Sequence, residues 1–167
     1  MDIQERIKYD TEDLKSYFLK LFIVMDTPEV FSDSNHFKQY VKSDMVCNIY
    51  GCLDFWLSQT CEHKHSAFAL QLSYKDIKAK NDLAVYHKYL EKIVGIDMSK
   101  CIDDYNNLQD LRMVRNCIIH AGSHTEKVEL NKIKGVNVSG TLVTVTKDYV
   151  FDTLVNAKNY LLFVNKP

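Results

Sequence analysis

Apolar residues recur every three or four positions along most of the chain, which is the period of an α-helix with one buried face. The first such segment ends near Pro28, because proline cannot continue a helix. The second begins near Ser34 or Asn35, residue types that cap helix N-termini, and its length indicates a central helix of a bundle. The positions predicted to face the core in these two segments are Ile7, Leu14, Phe18, Leu21 and Met25, then Phe37, Val41, Met45, Ile49, Leu53 and Trp56.

Two more helices follow in the same pattern. The third opens after Ser73 and ends near Gly95. The fourth runs from about Ser99 or Asp103 to Ala121, and Gly122 is well placed to end it, since glycine readily takes the left-handed conformation of a helix C-cap. The inward positions of the third helix are Ile77, Leu83, Tyr86, Leu90 and Ile93.

The period changes from helix to strand in VNVSGTLVTVT, residues 136–146, which predicts a short β-hairpin about a Ser-Gly turn. A last helix follows from Thr146, with Tyr149, Leu154, Ala157, Leu161 and Val164 inward. An isolated hairpin is only marginally stable, so this one is expected to pack on the helices. The pattern therefore predicts an all-α fold of about five helices in a bundle, with a small hairpin before the last, as one domain over residues 1–167.

Composition narrows the functional classes. The chain is 46% hydrophobic and 26% charged, with a net charge of -1. There is no overall basic field, so nucleic-acid binding would need a local patch. No apolar window has the length and freedom from polar residues to span a bilayer, so no membrane partner is expected. Five cysteines without a CxxC pair, behind a charged N-terminal segment, favour reduced thiols in the cytoplasm.

One local cluster invites a metal interpretation. CEHKH places Cys61, His63 and His65 together, but three ligands with no second cluster make a weak site, and a structural or solvated helix end is favoured. No glycine-rich phosphate loop occurs among the five glycines. Neither a metal nor a cofactor is therefore expected.

The fourth predicted helix carries an arginine on its apolar side. At about 100° per residue, Arg115 falls between Ile118 and Ile119. A guanidinium stays charged in a protein, and burying it without a partner is costly. Asp54 is the obvious candidate partner because it is the only charge in MVCNIYGCLDFWLSQTC, residues 45–61; a dimer interface and a phosphate are the other candidates.

Three polar residues of the same helix form a separate ridge. Arg112, Asn116 and His120 are spaced four apart and therefore lie on one face. Arg115 is outside this ridge, five residues before His120. An arginine and a histidine near one helix end are suited to anion binding and to proton transfer.

At these residues the chain resembles the HEPN superfamily (higher eukaryotes and prokaryotes nucleotide-binding). The motif is RNCIIH, with Arg115, Asn116 and His120 matching an Arg, a polar residue and a His after a spacing of four to six near the end of a late helix. HEPN domains are all-α and often act as metal-independent ribonucleases in toxin–antitoxin and phage-defence systems. Asp54 is the candidate for the acidic residue that several HEPN families carry on an earlier helix, and the hairpin followed by a helix is similar to a subset of the superfamily.

The resemblance implies a reaction and a role for each residue. The RNA 2′-OH would attack the adjacent phosphodiester, leaving a 2′,3′-cyclic phosphate and a 5′-OH. His120 would transfer a proton, Arg115 would stabilise charge on the phosphate, and Asn116 would orient His120 or hold a phosphate oxygen. Asp54 and Arg112 are the supporting residues.

The resemblance also implies partners. HEPN ribonucleases are generally homodimers whose two motifs face one cleft, so RNA, a second copy, and an antitoxin or defence-system protein are the expected partners. One departure concerns Gly122, which stands where toxins paired with nucleotidyltransferase antitoxins carry a tyrosine, and it argues against that pairing. The alternative interpretation is a catalytically silent HEPN module that binds RNA, a nucleotide or a partner protein.

Overall fold

The computed structural model describes residues 2–27, 35–125 and 128–166, which contain five α-helices, one antiparallel hairpin and short 3-10 turns. The predicted all-α class and the hairpin before the last helix are confirmed. The predicted boundaries at Pro28 and Ser34 lie outside the described residues. The helices are α1 (Ile3–Met25), α2 (Asn35–Ala67), α3 (Asp82–Lys92), α4 (Ile102–Ala121) and α5 (Lys147–Val164), and the strands are β1 (Val136–Ser139) and β2 (Leu142–Val145).

Helix α2 is the central element, as its length predicted. It packs against all four other helices, and α5 packs in turn against α1 and α4. Met45, Ile49, Leu53 and Leu57 form a fully buried stripe at four-residue spacing, and each such side chain contributes about 1.5–3 kcal/mol by its burial. Neither α2 nor any other described helix is long and apolar enough to cross a membrane.

The third helix begins later than the sequence predicted. Ser73 caps a single 3-10 turn, Tyr74–Asp76, because its backbone N–H donates a hydrogen bond to the carboxylate of Asp76 at 2.8 Å. Ile77 then takes an extended conformation and interrupts the helical path. Helix α3 starts only at Asp82, where the Asn81 side chain accepts a hydrogen bond from a backbone N–H of the first turn. The capping signal at Ser73 is real, but it starts a different element.

Helix α4 has the predicted boundaries. It begins at Ile102, and it ends at Gly122, which has φ of +56° and donates its N–H to the carbonyl of Cys117. The glycine predicted to end α3 behaves similarly, since Gly95 has φ of +84° two residues after the C-cap Ile93. The two glycines therefore predicted correctly where α3 and α4 end.

The hairpin is fastened to the end of α4. Its register pairs Val136 with Val145, and both side chains are buried together with Val143. The N–H of Val143 also donates to the carbonyl of Ser123 at 2.7 Å, just beyond the last residue of α4. Thr146 then caps α5, as predicted. The hairpin therefore holds the end of the helix that carries the candidate site residues.

Candidate active site

One pocket, with a volume of about 360 Å³, is lined by all five residues of the predicted active site, Asp54, Arg112, Arg115, Asn116 and His120. The pocket lies between α2, the start of α3 and the second half of α4. Its lining residues from these three elements are Cys47, Tyr50, Gly51 and Asp54, then Asp82, then Arg112, Arg115, Asn116, Ile119 and His120.

Arg115 lies where the core side of α4 ends. The first part of the apolar sector is fully buried at Leu108, Leu111 and Val114, but Ile118 is only half-buried and Ile119 is 48% exposed. The helical wheel was therefore wrong in treating the whole sector as core. Because the core stops one residue before Arg115, its guanidinium is half-buried rather than enclosed.

The guanidinium of Arg115 is compensated by an aromatic ring and an amide. Its Nη1 donates a hydrogen bond to Oδ1 of Asn116 at 3.1 Å, and its central carbon lies 5.2 Å from the centre of the Tyr50 ring. Cation–π contacts of this kind contribute about 0.5–2 kcal/mol. The guanidinium makes no ion pair with Asp54 within 4 Å, so the direct pairing expected from the sequence is not formed.

Asp54 has a different partner. Its half-buried carboxylate accepts a hydrogen bond from the buried hydroxyl of Tyr86 on α3 at 3.1 Å. Burial and the carboxylate both raise the pKa of Tyr86, which keeps this hydroxyl protonated as a donor. Asp54 is therefore held at the pocket wall by α3 rather than by α4.

Four charged side chains of the pocket affect the pKa of Tyr50. Burial raises its pKa most, and the Asp54 carboxylate raises it further, whereas the guanidinium of Arg112 acts in the opposite direction. Asp82 raises the pKa by a smaller amount, and Arg115 lowers it by a smaller amount. Sequence reasoning missed this residue, although its position four residues before Asp54 places both on one face of α2.

His120 and Arg112 are two polar side chains of the pocket that have no partner in the described part of the chain. Neither forms a hydrogen bond or an ion pair with another described residue. His120 is exposed in the last turn of α4, and Arg112 is half-buried two turns earlier. An imidazole and a guanidinium on one ridge can transfer a proton and bind an anion, respectively.

Cys47 is a pocket residue that the sequence analysis did not select. Burial raises the pKa of its thiol, and Asp44 adds to this, while Arg115 works against it. Only the thiolate is a good nucleophile. The net effect keeps Cys47 protonated and argues against a role in nucleophilic catalysis.

The residues of the CEHKH cluster do not converge. They lie in the last turns of α2, where positions two apart point to different sides of the helix. Cys61 is fully buried, and burial raises its pKa to about 12. Among the described residues, no group of three or more His, Cys, Asp or Glu side chains is arranged to hold a metal ion.

Comparison of the chain with protein-family models, with curated proteins and with solved structures finds no match. The chemistry of the pocket is therefore inferred from its own side chains.

Proposed function

We propose that this protein is a metal-independent endoribonuclease of HEPN type that acts as a homodimer, in a cytoplasmic toxin–antitoxin or phage-defence system. The observation that carries the proposal is the meeting of Arg115, Asn116 and His120 in one pocket. Arg112 lies in the same pocket without an ion pair to a described residue, which adds a second site for phosphate oxygens.

The proposed reaction needs one proton removed and one supplied. The RNA 2′-oxygen attacks the adjacent phosphorus as its proton goes to a base, and the 5′-oxygen leaves as it gains a proton. This yields a 2′,3′-cyclic phosphate and a 5′-OH. His120 serves as base or acid in these transfers, and Arg115, already oriented by Tyr50 and Asn116, donates to the phosphate oxygens as their charge grows.

A second copy supplies the other proton-transfer group. Each chain offers one His120 to the pocket, whereas the reaction uses a base and an acid. The exposed apolar side chain of Ile119 lies on the pocket wall, and Ala121 is exposed one residue beyond His120. Covering such a surface with the same surface of a second chain brings two copies of the motif together about a two-fold axis.

One observation favours the alternative of a silent binding module. A catalytic base is normally oriented by a third group, and His120 has no hydrogen-bond partner among the described residues. A silent module would bind RNA through Arg112 and Arg115 without cutting it. The two functions differ in their products and are separated by the same assay.

Cleavage of RNA in the presence of EDTA tests the proposal. We expect products with 2′,3′-cyclic phosphate and 5′-OH ends, and a loss of about 10²- to 10³-fold in rate for Arg115→Ala, since it removes transition-state donors. His120→Ala is expected to lose about 10²- to 10⁴-fold. The control is His63→Ala, which removes an exposed histidine of α2 outside the pocket. Undiminished cleavage by His120→Ala or a strict Mg²⁺ requirement would contradict the mechanism. RNA binding without cleavage would support the silent module.

The dimer is tested separately. Ile119→Glu places a charge on the apolar pocket wall and is expected to convert the dimer to a monomer and to abolish cleavage. Ile102→Glu is the matched control, because Ile102 is similarly exposed at the opposite end of α4. Light scattering gives the mass of each variant. A wild-type monomer with full activity contradicts the shared cleft.

A further inference from the structure

A second depression lies between α1 and α2, with a volume of about 450 Å³. It shares no lining residue with the candidate active site. We name it the aromatic groove after three of its residues, Tyr17 from α1 and Phe55 and Trp56 from α2.

The aromatic groove exposes large apolar side chains. Tyr17 is 51% exposed and Phe55 is 52% exposed. Trp56 is mostly buried beside them, where its ring meets the Phe55 ring edge-on at 5.2 Å between centroids. Exposed aromatic rings grouped on one surface are typical of interaction sites, because water solvates them poorly.

The charges of the aromatic groove have one sign. Among the described residues that line it, Asp10 and Asp13 are charged and no lysine or arginine is present. Asp10 accepts a hydrogen bond from Nε1 of Trp56 at 3.0 Å, which fixes both side chains. Asp13 is exposed and forms no ion pair or hydrogen bond with a described residue. Its carboxylate is therefore available to a cation.

We infer that the aromatic groove binds a basic segment of a partner protein, with an arginine or lysine side chain placed against Asp10 and Asp13. A guanidinium satisfies both features of the surface, since it stacks on aromatic rings and pairs with carboxylates. An apolar occupant would bury the two carboxylates without a partner, which is costly. A nucleic acid would place its phosphates against them. The inference is independent of the proposed ribonuclease activity.

The aromatic groove has a built-in reporter, because Trp56 is the only tryptophan of the chain. The test titrates the protein with a capped Arg-Gly-Arg peptide at low salt and follows Trp56 emission. The control peptide carries citrulline in place of each arginine and so keeps the shape without the charge. We expect saturable binding of the arginine peptide, much weaker binding of the citrulline peptide, and weaker binding at high salt because of screening.

Variants locate the binding within the aromatic groove. Asp13→Asn is expected to weaken binding of the arginine peptide by about threefold, which is the size of effect expected for an exposed charge pair. Phe55→Leu is expected to weaken the same binding by about threefold, because the aromatic ring is lost. Asp103→Asn, an exposed carboxylate of α4 outside the aromatic groove, is expected to change nothing.

Three results of the peptide titrations would overturn the inference. These are the absence of a saturable change, equal binding of the citrulline peptide, and unchanged binding by Asp13→Asn. Trp56 emission that depends on protein concentration without peptide would also overturn it, because the occupant would then be a second copy of the chain. Asp13 is exposed, so its variant tests the surface without disturbing the core.

Discussion

Helix α2 lines two depressions of similar size and different chemistry. Cys47, Gly51 and Asp54 face the candidate active site, and Asn48, Cys52 and Phe55 face the aromatic groove. Within each set the residues are three or four positions apart, so they share one face of the helix. The second set is shifted by one position from the first, and its face is therefore rotated by about 100° around the helix axis. The neighbouring helices make the difference, because α4 adds two guanidinium groups to one depression and α1 adds two carboxylates to the other.

The two depressions also differ in how their charges are compensated. In the candidate active site, Arg115 rests on Tyr50 and Asn116, and Asp54 accepts from Tyr86. In the aromatic groove, only Asp10 has such a partner. Arg115 and Asp54 of the first site are thus oriented by contacts across three helices, whereas Asp13 of the second has no partner among the described residues. Three of the four predictions below separate the two depressions, and the four run from the largest expected effect to the smallest.

Tyr86→Phe is expected to have the largest effect. It removes the hydrogen bond to the half-buried Asp54 carboxylate, and bonds to charged groups contribute about 1.5–3 kcal/mol. Urea denaturation should show this loss in the free energy of unfolding, with peptide binding in the aromatic groove unchanged. Tyr40→Phe, at an exposed tyrosine of α2, is the control. Equal stability of both variants would show that Tyr86 does not anchor Asp54.

Tyr50→Leu removes the ring beneath Arg115. If cleavage depends on that orientation, its rate falls by about 2- to 30-fold, the value of a cation–π contact. Tyr50→Phe keeps the ring and should retain most of the rate. A loss as large for Tyr50→Phe would assign the role to the hydroxyl instead. Neither variant should change peptide binding to Trp56, which lies on the other face of α2.

The third prediction concerns His87, which lies outside both depressions. We expect it to lower the stability of the protein at acidic pH. It lies half-buried on α3 with Nδ1 2.9 Å from the hydroxyl of Tyr160, and burial lowers its pKa. Below about pH 6.5 the unfolded chain gains a proton that the folded chain resists, so the free energy of unfolding falls as the pH drops toward the folded pKa. Urea denaturation on both sides of about pH 6.5 should show this slope, and His87→Gln should reduce it.

Asp10→Asn is expected to have the smallest effect on stability. The amide oxygen can still accept from the indole of Trp56, so the free energy of unfolding should change by less than about 1 kcal/mol. Binding of the arginine peptide should weaken while RNA cleavage stays constant. A fall in cleavage would show that the two faces of α2 are coupled.

Local patterns in the sequence predicted most of the elements. The three- to four-residue apolar period, the glycines after α3 and α4 and the alternation in residues 136–146 all correspond to observed elements. The predicted start of α3 was wrong because Ser73 caps a single 3-10 turn rather than the α-helix. Only the extended Ile77 separates the two outcomes.

The candidate site was predicted as a set of residues but not as a set of contacts. The spacing of Arg112, Asn116 and His120 put them on one ridge, and that ridge does line the pocket. Besides the adjacent Asn116, the partners of Arg115 and Asp54 are Tyr50 and Tyr86, respectively, which lie about 65 and about 30 positions away along the chain. A helical wheel gives the direction of a side chain around its own axis and carries no information about which helix lies opposite.

By itself, the sequence determined where α4 ends and which polar residues share its face, because both depend on contacts within a few positions. Only the tertiary structure decided that the core stops before Arg115, that Asp54 bonds to Tyr86 and that two carboxylates of α1 lie beside the aromatic rings of α2. Those outcomes depend on how α1, α3 and α4 pack around α2. Packing is set by the sum of many side-chain contacts rather than by any local signal.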